Sequence, residues 1–276
     1  MKHLKGKIML IMLALVVAVI LVLTADNKVL MTGIILAVAL VALFIFKFLK
    51  YTFSAYFKAT KEFYLAVLFN KEKSFRYSVF KRFNKKLVGR KHCLCDVYMP
   101  RDDGSVAKAD MLIFHETGIY VIDAKPYNCK IVGAEPAKEW KKVSGKKETV
   151  IPNPMAWNKL ERNWLKSYLS KYPNAYYFSF SIYGRFANIK GVTFKQYDGI
   201  VCNLGMLNKE IMRNSAKIGT SLALSEMDDA YQILKELRDP EKAKAIDCVP
   251  GIQDTIFYEM EKAVNEYDYK DPNLQY

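Results

Sequence analysis

Three side chains near the middle of the 276-residue chain have types and spacing suited to chemistry: Asp110, Asp123 and Lys125. Asp110 precedes one apolar run, residues 111–114, and Asp123 follows a second, residues 119–122. A four-residue His-Glu-Thr-Gly link joins the runs, a pattern that predicts a β-hairpin. An antiparallel hairpin lays the start of one strand beside the end of the next, so the two carboxylates meet. Lys125 shares a strand face with Asp123 because side chains alternate with period two.

Hard carboxylate oxygens suit Mg²⁺, which prefers oxygen ligands and keeps several waters. The chemistry that such a corner fits is metal-assisted phosphodiester hydrolysis, in which the metal polarises the phosphate and acidifies a bound water. Asp110 and Asp123 are then the metal ligands, with the Ala124 carbonyl as a further donor. Lys125 would orient or deprotonate the water and offset charge growing on the phosphorus centre. The competing reading of the same residues is a surface Asp–Lys pair that caps a strand.

The elements that must position this corner follow from periodicity and punctuation. Residues 75–83 place Phe75, Val79 and Phe83 at i, i+4 and i+8, an amphipathic helix. Residues 92–99 read as a first strand ended by Pro100, followed by turn chemistry at Arg101-Asp-Asp-Gly-Ser105. Short strands are expected at 130–133 and 140–143. Asn153-Pro154 opens a helix, with Asn153 as cap and Pro154 in the first position. Residues 176–183 and 198–204 are strand-like, the second resembling a buried central strand. Helices are expected over 207–212, 227–237 and 252–263.

The N-terminal end has a different character. Residues 8–23 are unbroken apolar sequence and residues 29–46 nearly so, which predicts spans over about 8–24 and 29–46. Lys2, Lys5 and Lys7 precede the first, and Lys47, Lys50 and Lys58 follow the second. The positive-inside rule then places both termini, and the soluble part, in the cytoplasm. A cleaved signal peptide is disfavoured, because Leu23-Thr-Ala25 matches a small-x-small cleavage site poorly. Residues 51–70 read as one juxtamembrane helix with Tyr and Phe near the headgroups.

The net charge of +14 points to nucleic acid or an anionic membrane surface as partner. Arg76, Lys81 and Arg82 on the first helix, and Lys141 and Lys142 after the hairpin, are the candidate phosphate contacts; solvated basic faces are the alternative. The five cysteines include no CxxC pair, so structural zinc is not expected and reduced thiols are.

The stretch Lys108-Ala-Asp-Met-Leu-Ile-Phe-His-Glu-Thr-Gly-Ile-Tyr-Val-Ile-Asp-Ala-Lys125, followed by Ile131-Val-Gly133, Trp140 and Asn153-Pro154, resembles the nuclease-related domain (NERD) family. The resemblance implies a PD-(D/E)xK, restriction-endonuclease-like α/β fold: a mixed sheet flanked by helices. It places Asp110, Asp123 and Lys125 at the catalytic positions, and DNA ahead of RNA as substrate. Two positions depart from the pattern. Phe75-Arg76 stands where the family has Gly-Glu, and Trp157-Asn158 where its helix commonly carries a Gln. The expected organisation is a transmembrane hairpin over 1–50, a juxtamembrane helix over 51–70, the nuclease-related domain over 71–205 and an acidic helical part over 206–276. The expected function is a membrane-anchored, Mg²⁺-dependent nuclease. The alternative is a catalytically degenerate module that binds nucleic acid or protein at the membrane.

Overall fold

The computed structural model describes residues 28–100, 106–194 and 199–239, and its contacts divide the chain into two units, Met1–Lys58 and Ala59–Tyr276. In the first unit, helix α1 covers Lys28–Thr52. Its stretch Met31–Thr52 is the one helix among the described residues long and apolar enough to cross a membrane, with mean hydropathy 2.5 and nothing buried in its apolar 18-residue window. Ile35, Leu36, Leu40, Leu43 and Phe46 are all exposed, so its apolar surface is not covered by protein.

One candidate span thus stands among the described residues, where two were expected. The first expected span, 8–24, and the lysines ahead of it lie outside the described residues, so the placement of both termini in the cytoplasm loses its footing. The expected boundary at 46 also moves, because nothing in residues 47–52 breaks a helix.

The expected continuous helix over 51–70 is three pieces. Helix α1 ends at Thr52, α2 covers Ala55–Thr60 and α3 covers Tyr64–Phe69. Ser54 caps the start of α2 by accepting from the Phe57 N–H at 3.2 Å. Lys61, at φ 56°, then turns the chain through the left-handed region, where a helix cannot continue.

In the second unit, helix α4 (Lys71–Lys86) starts at Asn70, whose side chain accepts from the Lys73 N–H. The predicted stripe is buried: Phe75, Val79 and Phe83, with Phe80 beside them. Phe83 sets its ring edge-on to Tyr120 and Phe180 at 5.5 and 5.3 Å. Burying such a ring contributes about 1.5–3 kcal/mol.

Strands β1 (Lys91–Pro100), β2 (Val106–His115) and β3 (Gly118–Lys125) form an antiparallel meander. Strands β7 (Tyr177–Tyr183) and β9 (Ile200–Asn203) join it in parallel, giving the order β1-β2-β3-β7-β9. The turn between β2 and β3 is only Glu116-Thr117, since His115 pairs with Gly118. Gly118 adopts φ 140°, and a Cβ there would stand 2.3 Å from the Tyr176 carbonyl oxygen. Only glycine permits that approach.

Helix α4 covers one face of the sheet. Helix α5 (Pro154–Tyr168) and helix α7 (Leu224–Lys235) cover the other, where Trp164, Leu165, Met227 and Leu234 pack with Leu112, Phe114 and Val121. Helix α6 (Leu207–Ile218) follows β9, and a 3-10 turn, Glu236–Arg238, follows α7. The expected strand over 198–204 is an edge strand rather than a central one. Its apolar run reflects burial: Ile200, Val201 and Cys202 are all buried although β9 ends the sheet.

A second sheet, ordered β6-β5-β4-β8, was not expected as a separate layer. It comprises β4 (Lys130–Ala134), β5 (Glu139–Ser144), β6 (Lys147–Pro152) and β8 (Asn188–Thr193). Ile131 and Trp140 from this sheet pack with Met155, Tyr183 and Val201 in a core of their own. The Arg101–Ser105 turn and the expected helix over 252–263 lie outside the described residues. The architecture is thus a mixed α/β fold with two sheets flanked by helices.

Candidate active site at the open end of the β2–β3 hairpin

Paired residues of β2 and β3 run from His115↔Gly118 to Met111↔Ile122. Asp110 and Asp123 are the next residues outward on each strand. Asp110 Oδ2 accepts the Ala124 N–H at 3.0 Å, so a side chain takes over where backbone pairing stops. Lys125 Nζ lies 2.7 Å from Asp123 Oδ1 and 3.5 Å from Asp110 Oδ2. The structure therefore brings Asp110, Asp123 and Lys125 to one corner. The carboxylates keep 19% and 18% of their side-chain surface and Lys125 keeps 41%, so solvent reaches the lysine most easily.

This packing sets the electrostatics. Burial pushes the Asp123 carboxyl up to about 7, and the Asp110 charge adds to that rise while Lys125 opposes it. Burial alone would lower Lys125, but the Asp123 and Asp110 carboxylates outweigh it and hold the ammonium above the usual lysine range. One lysine thus balances two acids.

Strand β7 lines the corner in parallel register, Asp123↔Ser181 and Lys125↔Tyr183. The buried Asn158 side chain of helix α5 donates from Nδ2 to Ser181 Oγ at 2.8 Å, and Ser179 Oγ donates to the Asn158 carbonyl. Asn158 Oδ1 and the Tyr183 hydroxyl are buried polar atoms with no hydrogen-bond partner among the described residues. Sequence reasoning passed over Ser181 and Tyr183. Both lie in a strand that it identified, but which strand pairs with β3 is not written in local pattern.

The five basic candidates are not gathered in one place. Arg76 is only 12% exposed and bonds Asp96 at 2.9 Å and Glu62 at 3.1 Å, so carboxylates flank it where an acid stands in the family pattern. Lys73 reaches the same Glu62, and Lys108 the same Asp96. Lys81 lies over the Tyr77 ring at 4.9 Å, and Arg82 is half-exposed on the same helix. That helix packs on the Tyr120 face of the sheet, whereas Asp123 and Lys125 fall on the other face by period two. Lys141 and Lys142 sit on β5 of the second sheet, with Lys141 paired to Glu148 and Lys142 placed over the Tyr127 ring.

The donor set fits a hard divalent cation. Mg²⁺ is commonly held by one or two carboxylates plus substrate phosphates and its own waters, and two carboxylates with a surplus of negative charge are what this corner offers. No cluster of three or more His, Cys, Asp or Glu suited to a metal occurs among the described residues.

No curated protein and no solved structure matches the chain. The profile of the nuclease-related domain, NERD, matches residues 71–184, from the first residue of α4 to the glycine after β7. The corner and the strands that build it therefore lie within a nuclease-related domain found at residues 71–184.

Proposed function

We propose that this protein is a membrane-anchored nuclease that hydrolyses phosphodiester bonds of nucleic acid, DNA ahead of RNA, at the corner formed by Asp110, Asp123 and Lys125. The observation that carries the reading is the convergence of two half-buried carboxylates on one lysine inside a nuclease-related domain. The antiparallel meander, preceded by α4 and continued through α5 into parallel β7, supports a restriction-endonuclease-like arrangement. Helix Met31–Thr52 supplies the anchor, and Lys47 and Lys50 at its C-terminal end, with Lys58 after it, favour the cytoplasmic side for the domain.

Asp110 and Asp123 would hold Mg²⁺, which when bound supplies Lewis-acid polarisation of the phosphate and a more acidic water. The Ala124 N–H fixes the Asp110 carboxylate, so one ligand is oriented before substrate arrives. The Lys125 ammonium donates to a non-bridging phosphate oxygen and offsets the charge that grows there. Asn158 steadies Ser181, the register partner of Asp123, from behind. In the hydrolysis, the water oxygen bonds to phosphorus and gives up a proton to solvent, the bond from phosphorus to the leaving sugar oxygen breaks, and that oxygen takes up a proton from solvent. Of the basic candidates, Lys81 and Arg82 on α4 and Lys141 on β5 are proposed to contact phosphates away from the corner, while Arg76 is occupied by Asp96 and Glu62.

The test is incubation of the full chain in lipid nanodiscs with labelled DNA and RNA, single- and double-stranded, with Mg²⁺ or with chelator. The reading expects Mg²⁺-dependent cleavage of at least one substrate, and it fails if none is cut. A second reading, a non-cleaving binding module, is favoured by Arg76 standing in place of the helix acid. It expects binding that ignores Mg²⁺ and survives Asp123→Ala.

A further inference from the structure

Lys142 is placed where lysines are seldom placed. By strand alternation it shares a face of β5 with Trp140, which is fully buried, and its register partner on β4 is Ile131, also fully buried. Lys141, one residue earlier, points the other way and pairs with Glu148. Lys142 has no carboxylate partner among the described residues. Its ammonium lies instead 4.6 Å from the centroid of the Tyr127 ring. Turning a cation towards the inner face of a sheet costs free energy unless something compensates it, and an aromatic face compensates only in part.

Tyr127 is itself held firmly. Its N–H donates to the Lys125 carbonyl at 2.8 Å, and its own carbonyl accepts the Gly184 N–H at 3.0 Å. Gly184 is the close approach that permits this, since a Cβ there would stand 2.7 Å from the Tyr127 carbonyl oxygen and 2.2 Å from Asn128 Oδ1. Asn128 Oδ1 in turn accepts the Phe186 N–H. The loop that leaves the Asp123-x-Lys125 strand is therefore pinned to the end of β7. The Tyr127 ring lies 6.4 Å from that of Tyr183, the register partner of Lys125. The Asp123 carboxylate acts on the Tyr183 hydroxyl and helps to keep it protonated.

We propose that Lys142, positioned by Tyr127, is a phosphate subsite that takes a backbone phosphate of nucleic acid bound at this corner. The second sheet thereby sets a cation of β5 against the loop that leaves Lys125. The proposal rests on the nuclease reading for its substrate class, nucleic acid, but not on cleavage. Lys142 is the subsite's contact residue, and Tyr127 is a positioning residue.

The experiment measures affinity of the full chain in nanodiscs for a short DNA duplex and a single strand, in chelator, across a range of salt. Lys142→Met keeps length and packing over the ring but removes the charge. It is expected to weaken binding several-fold and to make the salt slope shallower by about one unit, as for one lost phosphate contact. Lys142→Arg and Tyr127→Phe should keep both affinity and slope. Tyr127→Leu should match Lys142→Met, and the double variant should be no weaker than either. If Lys142→Met binds with wild-type affinity and slope, the subsite is overturned, while cleavage lost in Lys125→Met would leave the nuclease reading standing. If Lys142→Met alters binding in a chain that never cuts, the subsite stands and the nuclease reading falls.

Discussion

Asp110 Oδ2 accepts the backbone N–H of Ala124 at 3.0 Å, tying β2 to β3 by a side chain at the point where their ladder ends. One carboxylate therefore has two separable roles, as an acceptor for the backbone and as a charge at the corner. Asp110→Asn keeps an acceptor oxygen, whereas Asp110→Ala leaves a buried N–H unpaired, which costs about 1–3 kcal/mol. Urea unfolding should show Asp110→Ala destabilised by that amount and Asp110→Asn close to wild type, with both inactive. Equal stability of the two variants would contradict the bond.

The corner depends on hairpin register, and Gly118 sets it. Alanine there meets a positive φ and a carbonyl oxygen that no rotamer change can avoid. Gly118→Ala should lower stability by about 2–4 kcal/mol, a strain and overpacking effect together. It should also reduce nucleic-acid cleavage, because a shifted turn moves Asp123 relative to Asp110. Thermal unfolding within a degree of wild type would overturn this.

A pH signature comes from the Arg76 cluster. Burial works to raise the Asp96 carboxyl, but Arg76 and Lys108 outweigh it and hold the group below the usual carboxylate range. A depressed folded-state value means stability that is present above the unfolded value, about 3.9, and lost as pH falls through the folded one. Asp96→Asn should be less stable at pH 7 by about 1 kcal/mol, a figure kept small because a third of the side chain is exposed. The gap should close as pH falls below about 4. A gap independent of pH would exclude the ion pair as its source.

The candidate span makes a separate prediction. Leu40 lies near the middle of Met31–Thr52 and is exposed. Leu40→Arg would place a charge at mid-bilayer depth, unfavourable by about 2.5–3.5 kcal/mol on an insertion scale. Alkaline extraction should leave wild type in the membrane pellet and release more of the variant. Release of wild type itself would remove the anchor.

The parts of the fold legible in sequence were those written in local pattern. Two continuous apolar runs around a short Gly-containing link gave the hairpin, and its carboxylates followed from antiparallel geometry. The Phe75, Val79 and Phe83 spacing marked one helix, which the structure extends to Lys71–Lys86, and Asn153-Pro154 marked the start of another, Pro154–Tyr168. Strands β6 and β8 were missed because Lys147–Pro152 and Asn188–Thr193 are largely exposed and alternate weakly. The Tyr51–Phe69 stretch looked continuous because neither the Ser54 cap nor the left-handed turn at Lys61 has a strong residue signal. Ser181, Tyr183 and Tyr127 could not be assigned to the corner without knowing that β7 lies parallel to β3. The inward turn of Lys142 likewise needs the second sheet, which only long-range pairing reveals.

The most direct test of the central claim is single-turnover cleavage with Mg²⁺ in nanodiscs, comparing wild type with Asp123→Asn and Lys125→Met and measuring nucleic-acid affinity in the same preparations. The account predicts rates lower by about 100-fold or more for each variant, the scale of losing an electrostatic group from the transition state. Affinity should change far less than rate. Equal rates for wild type and both variants would show that the Asp110, Asp123 and Lys125 corner does not cut.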